Sequence, residues 1–122
     1  MSANELIPAP LKPIITIDVV ESIDVRVGTI QAVEDVHGSK KLMRLRVDFG
    51  DHARTILAGI KGERDEPQEI VGKQALFVLN LEPRTMMGEL SEGMLFDIGF
   101  SDGINPALAM PERRIPNGAR AG

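Results

Sequence analysis

The hydrophobic and polar positions of this chain are laid out mainly for β-strands. Residues 25–36 are rich in β-branched side chains and hold Gly28 inside the run; a lone glycine within a strand marks a bulge or a sharp bend at a barrel corner. Across residues 42–49 the alternation is strict: Met43, Leu45, Val47 and Phe49 share one face, Arg44, Arg46 and Asp48 the other. Gly50-Asp51-His52 reads as a turn into a third strand over residues 54–60. Residues 74–79 are apolar enough for a fourth strand buried on both faces, and residues 93–100 form a fifth. Helical signals are short. Residues 18–22 predict a single turn, and the acidic interval 61–69, running on to Gly72, predicts a short helix stopped by that glycine. The tail from Ser101 is punctuated by Gly, Asn and Pro, with room for one short strand at residues 108–110. No internal repeat or low-complexity segment breaks the pattern.

Three strands, a short helix and two more strands, with a glycine bend in the first, is the order of an oligonucleotide/oligosaccharide-binding (OB) barrel. The expected fold is therefore mainly β: a five-stranded OB-fold barrel with a short helix between strands 3 and 4 and a C-terminal extension. A five-stranded SH3-like barrel satisfies the same order. Residues 17–122 make up the domain, and residues 1–16 a flexible arm carrying Pro8, Pro10 and Pro13. In an OB barrel the ligand lies across strands 2 and 3 and against the loops joining strands 1–2 and 4–5. The two unusual segments, residues 37–41 and 80–92, fall on those loops. The second, followed through to Met94, is too long for a tight hairpin, and its adjacent Met86 and Met87 suggest a surface that receives something. The plainer reading folds those methionines back to cap the barrel end.

At 122 residues the chain fits one domain with its own core. The absence of cysteine removes disulfides, thiolate metal sites and cysteine nucleophiles, and suits a reducing cytosol. No apolar run is long enough to span a bilayer, and the first residues lack the charged and apolar regions of a signal peptide. A cytoplasmic protein with no membrane insertion is expected. The net charge of -4 argues against a coat of positive potential, yet clustering matters more than the total. Lys40, Lys41, Arg44 and Arg46 lie close together with no acid among them, a strip able to meet phosphates. Taken alone, such a run is more often a solvated strand face paired with neighbours such as Asp48.

The acids Glu63, Asp65, Glu66 and Glu69 gather in the helical interval, away from that strip. The 80–94 loop sets Arg84 against Glu82, Glu89 and Glu92, so its contribution rests on shape, backbone donors, Ser91 and methionine. Trp and Tyr are absent and only Phe49, Phe77, Phe96 and Phe100 are aromatic, too few for base-stacking recognition of single strands. Chemistry is equally scarce. His37 and His52 stand beside turn residues and are explained by turn composition. There is no phosphate-cradling glycine loop and no nucleophile elbow, and pairs such as Asp65-Glu66 lie on a solvated helix. No catalytic residue, metal site or cofactor is expected.

The residues also carry a family resemblance. The stretches Asp24-Val25-Arg26-Val27-Gly28-Thr29-Ile30, Gly38-Ser39-Lys40-Lys41-Leu42-Met43-Arg44-Leu45 leading to Val47-Asp48-Phe49-Gly50, Ala58-Gly59-Ile60, Asn80-Leu81-Glu82-Pro83-Arg84, Ser91-Glu92-Gly93-Met94 and Pro116-Asn117-Gly118 follow in order. From about residue 17 to residue 122 the chain resembles the tRNA-binding domain, found in stand-alone dimeric proteins and at the C-terminus of bacterial methionyl-tRNA synthetases. The resemblance implies a non-catalytic OB barrel that forms a homodimer through C-terminal structure and recognises the folded corner of tRNA by shape. Structured RNA is indeed read through backbone and 2′-hydroxyl groups more than through stacking. By motif it implies Lys41 and Arg84 as phosphate contacts, Asn80 and Ser91 as hydrogen-bonding groups, and Met86 and Met94 as packing surfaces. Lys40 and Arg44 join them from the cationic strip. Gly28 and Gly59 are architectural.

Two positions depart from the family pattern. Where members often carry Lys and Arg around the loop methionine, this chain has Thr85 and Met87, while Lys40 stands where Asp is frequent. Weaker RNA binding than in more basic relatives is expected. The family also holds a branch of CsaA-type export chaperones, and a methionine-bearing loop suits varied unfolded peptides. That branch carries Lys-x-Ser-Ser-Ala-Gln on strand 3 and lacks Gly-Met after Ser-Glu. Here residues 56–60 are Ile-Leu-Ala-Gly-Ile and Gly93-Met94 is kept, which favours the tRNA branch. The expected partners are tRNA and a second copy, with an aminoacyl-tRNA synthetase or unfolded precursor polypeptides as alternatives.

Overall fold

The structure, a computed structural model, describes residues 6–122. It is mainly β, with an antiparallel sheet curled into a half-barrel that is consistent with an OB-like barrel. The long strand β1 (Val25–Asp35) is its spine. Its first half pairs with β4 (Gln74–Val78), its second with β2 (Met43–Asp48), which pairs in turn with β3 (Ala53–Ala58). One strand serves two such neighbours only by bending, and the β1–β2 register shifts between Ile30 and Ala32. Gly28 lies just ahead of the shift for a different reason. A Cβ there would stand 2.5 Å from Val47 Cγ1 and 2.7 Å from Phe49 Cε1, so the core itself excludes a side chain.

The alternation in β2 delivers Met43, Leu45 and Val47 to the interior, with Phe49 following them. Phe49 meets Phe77 edge-on at a centroid distance of 5.5 Å. Ile30, Ile56 and Ile70 are fully buried beside them, each contributing about 1.5–3 kcal/mol of transfer free energy.

Several elements differ from expectation. Between β3 and β4 the helical element is a single 3-10 turn, Pro67–Ile70. Pro67 opens it, Gly72 with φ +88° ends the segment, and too few residues lie between for a longer helix. Its Ile70 closes the end of the core. The α-helix among the described residues is α1 (Ile17–Glu21), where one helical turn was expected; it buries none of its side chains. Residues 80–94 contain a hairpin of β5 (Arg84–Met86) and β6 (Glu89–Ser91). The fifth strand is split into β7 (Met94–Leu95), paired with β4, and β8 (Asp97–Ile98), paired with β9 (Ala107–Leu108). The break falls at Phe96, whose N–H donates to the Leu76 carbonyl at 3.0 Å. A last strand, β10 (Arg120–Ala121), returns to the start of β1 and had no sequence signal. Of the expected arm, residues 6–16 are exposed without regular structure and residues 1–5 lie outside the described residues. No helix among the described residues is long and apolar enough to cross a membrane.

Candidate nucleic-acid interface

The connection from β4 to β7 is not itself a tight hairpin, but a tight hairpin that the sequence reading did not foresee forms inside it. Arg84 pairs with Ser91, Thr85 with Leu90 and Met86 with Glu89. The connection is Met87-Gly88, with φ +51° and +78°. Positive φ at both central residues is the type I′ geometry that matches strand twist, and a non-glycine residue there costs on the order of 1–2 kcal/mol. Met87 accepts that strain at the hairpin tip, 54% exposed.

Three sets of contacts fix the hairpin. At its root, Arg54 Nη1 donates to the carbonyls of Leu79 (3.0 Å) and Glu92 (3.1 Å), the two ends of the loop. Arg54 Nε also donates to His52 Nε2 at 3.0 Å. Guanidinium has no acceptor, so His52 Nε2 must accept and its Nδ1–H donates to Asp51 Oδ1 at 2.7 Å. Midway, Ser91 is 3% exposed; its Oγ accepts from the Leu57 N–H at 3.0 Å and donates to the Gly93 carbonyl at 3.1 Å. The Glu92 N–H donates to the Thr55 carbonyl at 2.9 Å, so this segment closes the barrel against β3. Near the tip, a Cβ built on Gly38 would stand 3.3 Å from Met87 Cε, and Arg44 Nη1 donates to Glu89 Oε1 at 2.7 Å. The hairpin therefore lies across β3 with its tip against the loop that follows β1.

That loop is shaped by Ser39, whose Oγ accepts from the N–H groups of Leu42 (2.9 Å) and Lys41 (3.3 Å). Lys40 and Lys41 are exposed at its crest. Arg44 follows on β2, half-buried, with Glu34 Oε1 at 3.6 Å from its Nε in addition to Glu89. The hydrogen bond to Glu89 holds its guanidinium above its ordinary value. Among the described residues, Lys40, Lys41, Arg46 and Arg84 make no ion pair. Lys61, at the start of the acidic interval, also contacts this loop. The Lys61 N–H donates to the Lys41 carbonyl at 3.0 Å, and Lys61 Nζ pairs with Asp35 at 3.0 Å, so the interval begins directly against the lysine loop.

The sequence-derived residues thus occupy different settings. Lys40, Lys41, Arg84 and Met94 are exposed, and Met86 is partly covered on the hairpin. Arg44 is engaged by two carboxylates. Asn80 Nδ2 donates to the Ser22 carbonyl at 2.7 Å and its Oδ1 accepts from the Asp24 N–H at 2.8 Å, which ties the end of α1 to the exit of β4. Ser91 is internal. Sequence reading passed over Arg54, and set Glu89 against Arg84 where the fold sets it against Arg44. Arg54 did leave a signal: it shares strand parity with the core residues Ile56 and Ala58, a poor place for an unpaired guanidinium.

A curled β-barrel on which a cationic loop and a methionine-bearing hairpin meet is a surface-recognition domain. The chain belongs to the tRNA-binding domain family, whose model, described as "Putative tRNA binding domain", matches residues 25–120. It is 48% identical over 92 residues to the methionine–tRNA ligase of Chlorobium chlorochromatii, and 41% identical over 106 residues to that of Methanocaldococcus jannaschii. These matches cover 75% and 87% of this chain but span only 13% and 16% of the ligases. Among solved structures, the MetRS related protein from Pyrococcus horikoshii superposes with a TM-score of 0.83 at 34% identity, covering 91% of this chain and 100% of that one. The chaperone CsaA from Bacillus anthracis follows with a TM-score of 0.79 at 25% identity, covering 90% and 100%.

Proposed function

We propose that this chain is a non-catalytic, structure-specific tRNA-binding protein that acts in the cytoplasm as a homodimer. The observation that carries the reading is the meeting of hairpin and lysine loop, seen in the Met87–Gly38 approach and the Arg44–Glu89 contact. Lys40, Lys41 and Arg84 meet phosphates, each releasing counterions on contact. Met86, Met87 and Met94 offer adaptable apolar surface to sugars and exposed bases. Arg44 lies between them. Asn80 and Ser91, with their polar atoms committed inside the chain, hold the frame on which the other groups are displayed.

Titration of folded tRNA at several salt concentrations tests this. Wild-type binding is expected to weaken steeply with salt, and the double change Lys41→Ala with Arg84→Ala to flatten that slope by about 1.4–1.8, two phosphate contacts. Binding no tighter than to an unrelated RNA duplex would overturn shape recognition. Thr85 and Met87, in place of basic residues, set the affinity below that of more basic relatives.

The homodimer is supported by α1, whose apolar residues are all exposed. A helix this short has no stability of its own and needs a covering surface. An aminoacyl-tRNA synthetase is the further partner suggested by the ligase relatives. A second reading, a chaperone for unfolded polypeptides, is favoured by Met87 and Leu90, both exposed on the hairpin. It predicts suppression of client aggregation at stoichiometric protein, in competition with tRNA.

A further inference from the structure

Of the cations on this rim, Arg44 is already occupied. Glu89 Oε1 accepts from its Nη1 at 2.7 Å, and both side chains are about two-thirds covered, at 32% and 28% exposure. That contact is one of several that seat the hairpin, and the others do not involve its charge. Arg54 fixes its root, Ser91 and Glu92 lock it to β3, and the β5–β6 pairing is backbone. The carboxylate instead stands over the guanidinium in the middle of the surface where Lys41, Met87 and the hairpin meet. Carboxylate and phosphate are alternative anionic partners for the same guanidinium fork.

We infer that Glu89 is an internal competitor for RNA phosphate: it occupies Arg44 in the free protein and must leave before a phosphate reaches that guanidinium. The inference rests on the tRNA-binding reading and adds to it the residue that sets affinity and salt response. In the wild type, phosphate replaces one anion on Arg44 by another, and the freed Glu89 takes up a cation. Arg44 then adds little to net counterion release. With Gln at position 89 the amide oxygen still accepts from Arg44 and the hairpin keeps its seat, but the nearer competing charge is gone and only the more exposed Glu34, 3.6 Å from Nε, remains beside the guanidinium.

The test is a salt titration of folded tRNA against wild type, Glu89→Gln, and Glu89→Gln combined with Arg44→Ala. Glu89→Gln is expected to bind about 2- to 5-fold tighter, with a log–log salt slope steeper by about 0.7–0.9, one phosphate contact. The gain is expected to vanish in the Arg44→Ala background. Unchanged or weaker binding by Glu89→Gln overturns the inference, as does a gain that survives loss of Arg44. Hydrogen exchange supplies a second reading: faster exchange of the Met86 and Ser91 amides, which belong to the hydrogen-bonded pairs of the hairpin, in Glu89→Gln would show that the pair merely holds the hairpin. If the wild type itself fails to bind folded tRNA, the underlying reading falls and the inference with it. If the wild type binds and Glu89→Gln gains nothing, the inference alone falls.

Discussion

Single carboxylates in this chain are handled in opposite ways. Asp24 accepts two hydrogen bonds from Arg26, at 2.8 and 3.1 Å, and this holds its carboxyl below the usual range. Asp97 and Glu63 are pushed up by burial, and for Glu63 the charge of Asp97 adds to the effect. A raised folded-state value means that the native chain takes up protons more readily than the unfolded one. The Glu63–Asp97 site therefore weakens the fold at neutral pH. That penalty fades as pH falls through the raised values toward the ordinary 3.8 and 4.5. Asp24 behaves inversely, stabilising above its ordinary value and losing the effect as pH falls through its lowered one. Asp97→Asn is expected to raise the melting temperature by about 1–3 °C at pH 7, with the gain shrinking toward pH 4. A calorimetric gain as large at pH 4 as at pH 7 would mean the carboxylate is not the source of strain. Asp24 and Arg26 are near neighbours in the chain. The approach of Asp97 to Glu63 is not legible in sequence, because the fold brings those acids together, as it supplies Glu89 to Arg44 across the barrel.

At the level of elements, what could be read depended on whether the signal was local. The period-two pattern of residues 42–49 contains its own answer, and β2 buries the face it announces. The split of the fifth strand contains none, since it follows from Phe96 bonding to Leu76 while Asp97 turns to Leu108. The hairpin stayed hidden because its turn uses Met87-Gly88 where Asn-Gly or Asp-Gly is the recognisable signal. Its root is equally non-local. Arg54 spans from β3 to the carbonyls of Leu79 and Glu92 and joins both ends of the loop through one guanidinium. Arg54→Ala leaves those carbonyls without this donor and is expected to cost about 1–2 kcal/mol. More telling is where the loss falls. Hydrogen exchange should quicken across residues 80–92 while peptides from β1 and β2 keep their protection. Uniform quickening throughout the barrel would make Arg54 a global support and not the hairpin's anchor.

At the scale of the whole molecule, large apolar side chains remain exposed on several elements. Along residues 95–100, Leu95 faces the core while Phe96, Ile98 and Phe100 remain exposed, Ile98 at 58% and Phe100 at 67%. A sheet rim normally turns polar residues to water, and a contiguous apolar face marks an interaction surface. The exposed Ile17, Val19 and Val20 of α1 add a second apolar element that is not buried against any of the described residues. In the homodimer proposed above, a second copy would cover both under one two-fold axis, the commonest arrangement of a homodimer. Because Ile98 and Phe100 lie outside the buried core, charged residues there leave the barrel intact. The double change Ile98→Asp with Phe100→Asp is therefore expected to give a folded monomer by sedimentation equilibrium. Its circular dichroism should match the wild type. Its affinity for folded tRNA should fall by about tenfold or more, as one RNA loses simultaneous contact with two rims. A wild-type protein that sediments as a monomer at tens of micromolar, or a double variant that remains dimeric, would place the covering partner of this face elsewhere than in a second copy of the chain.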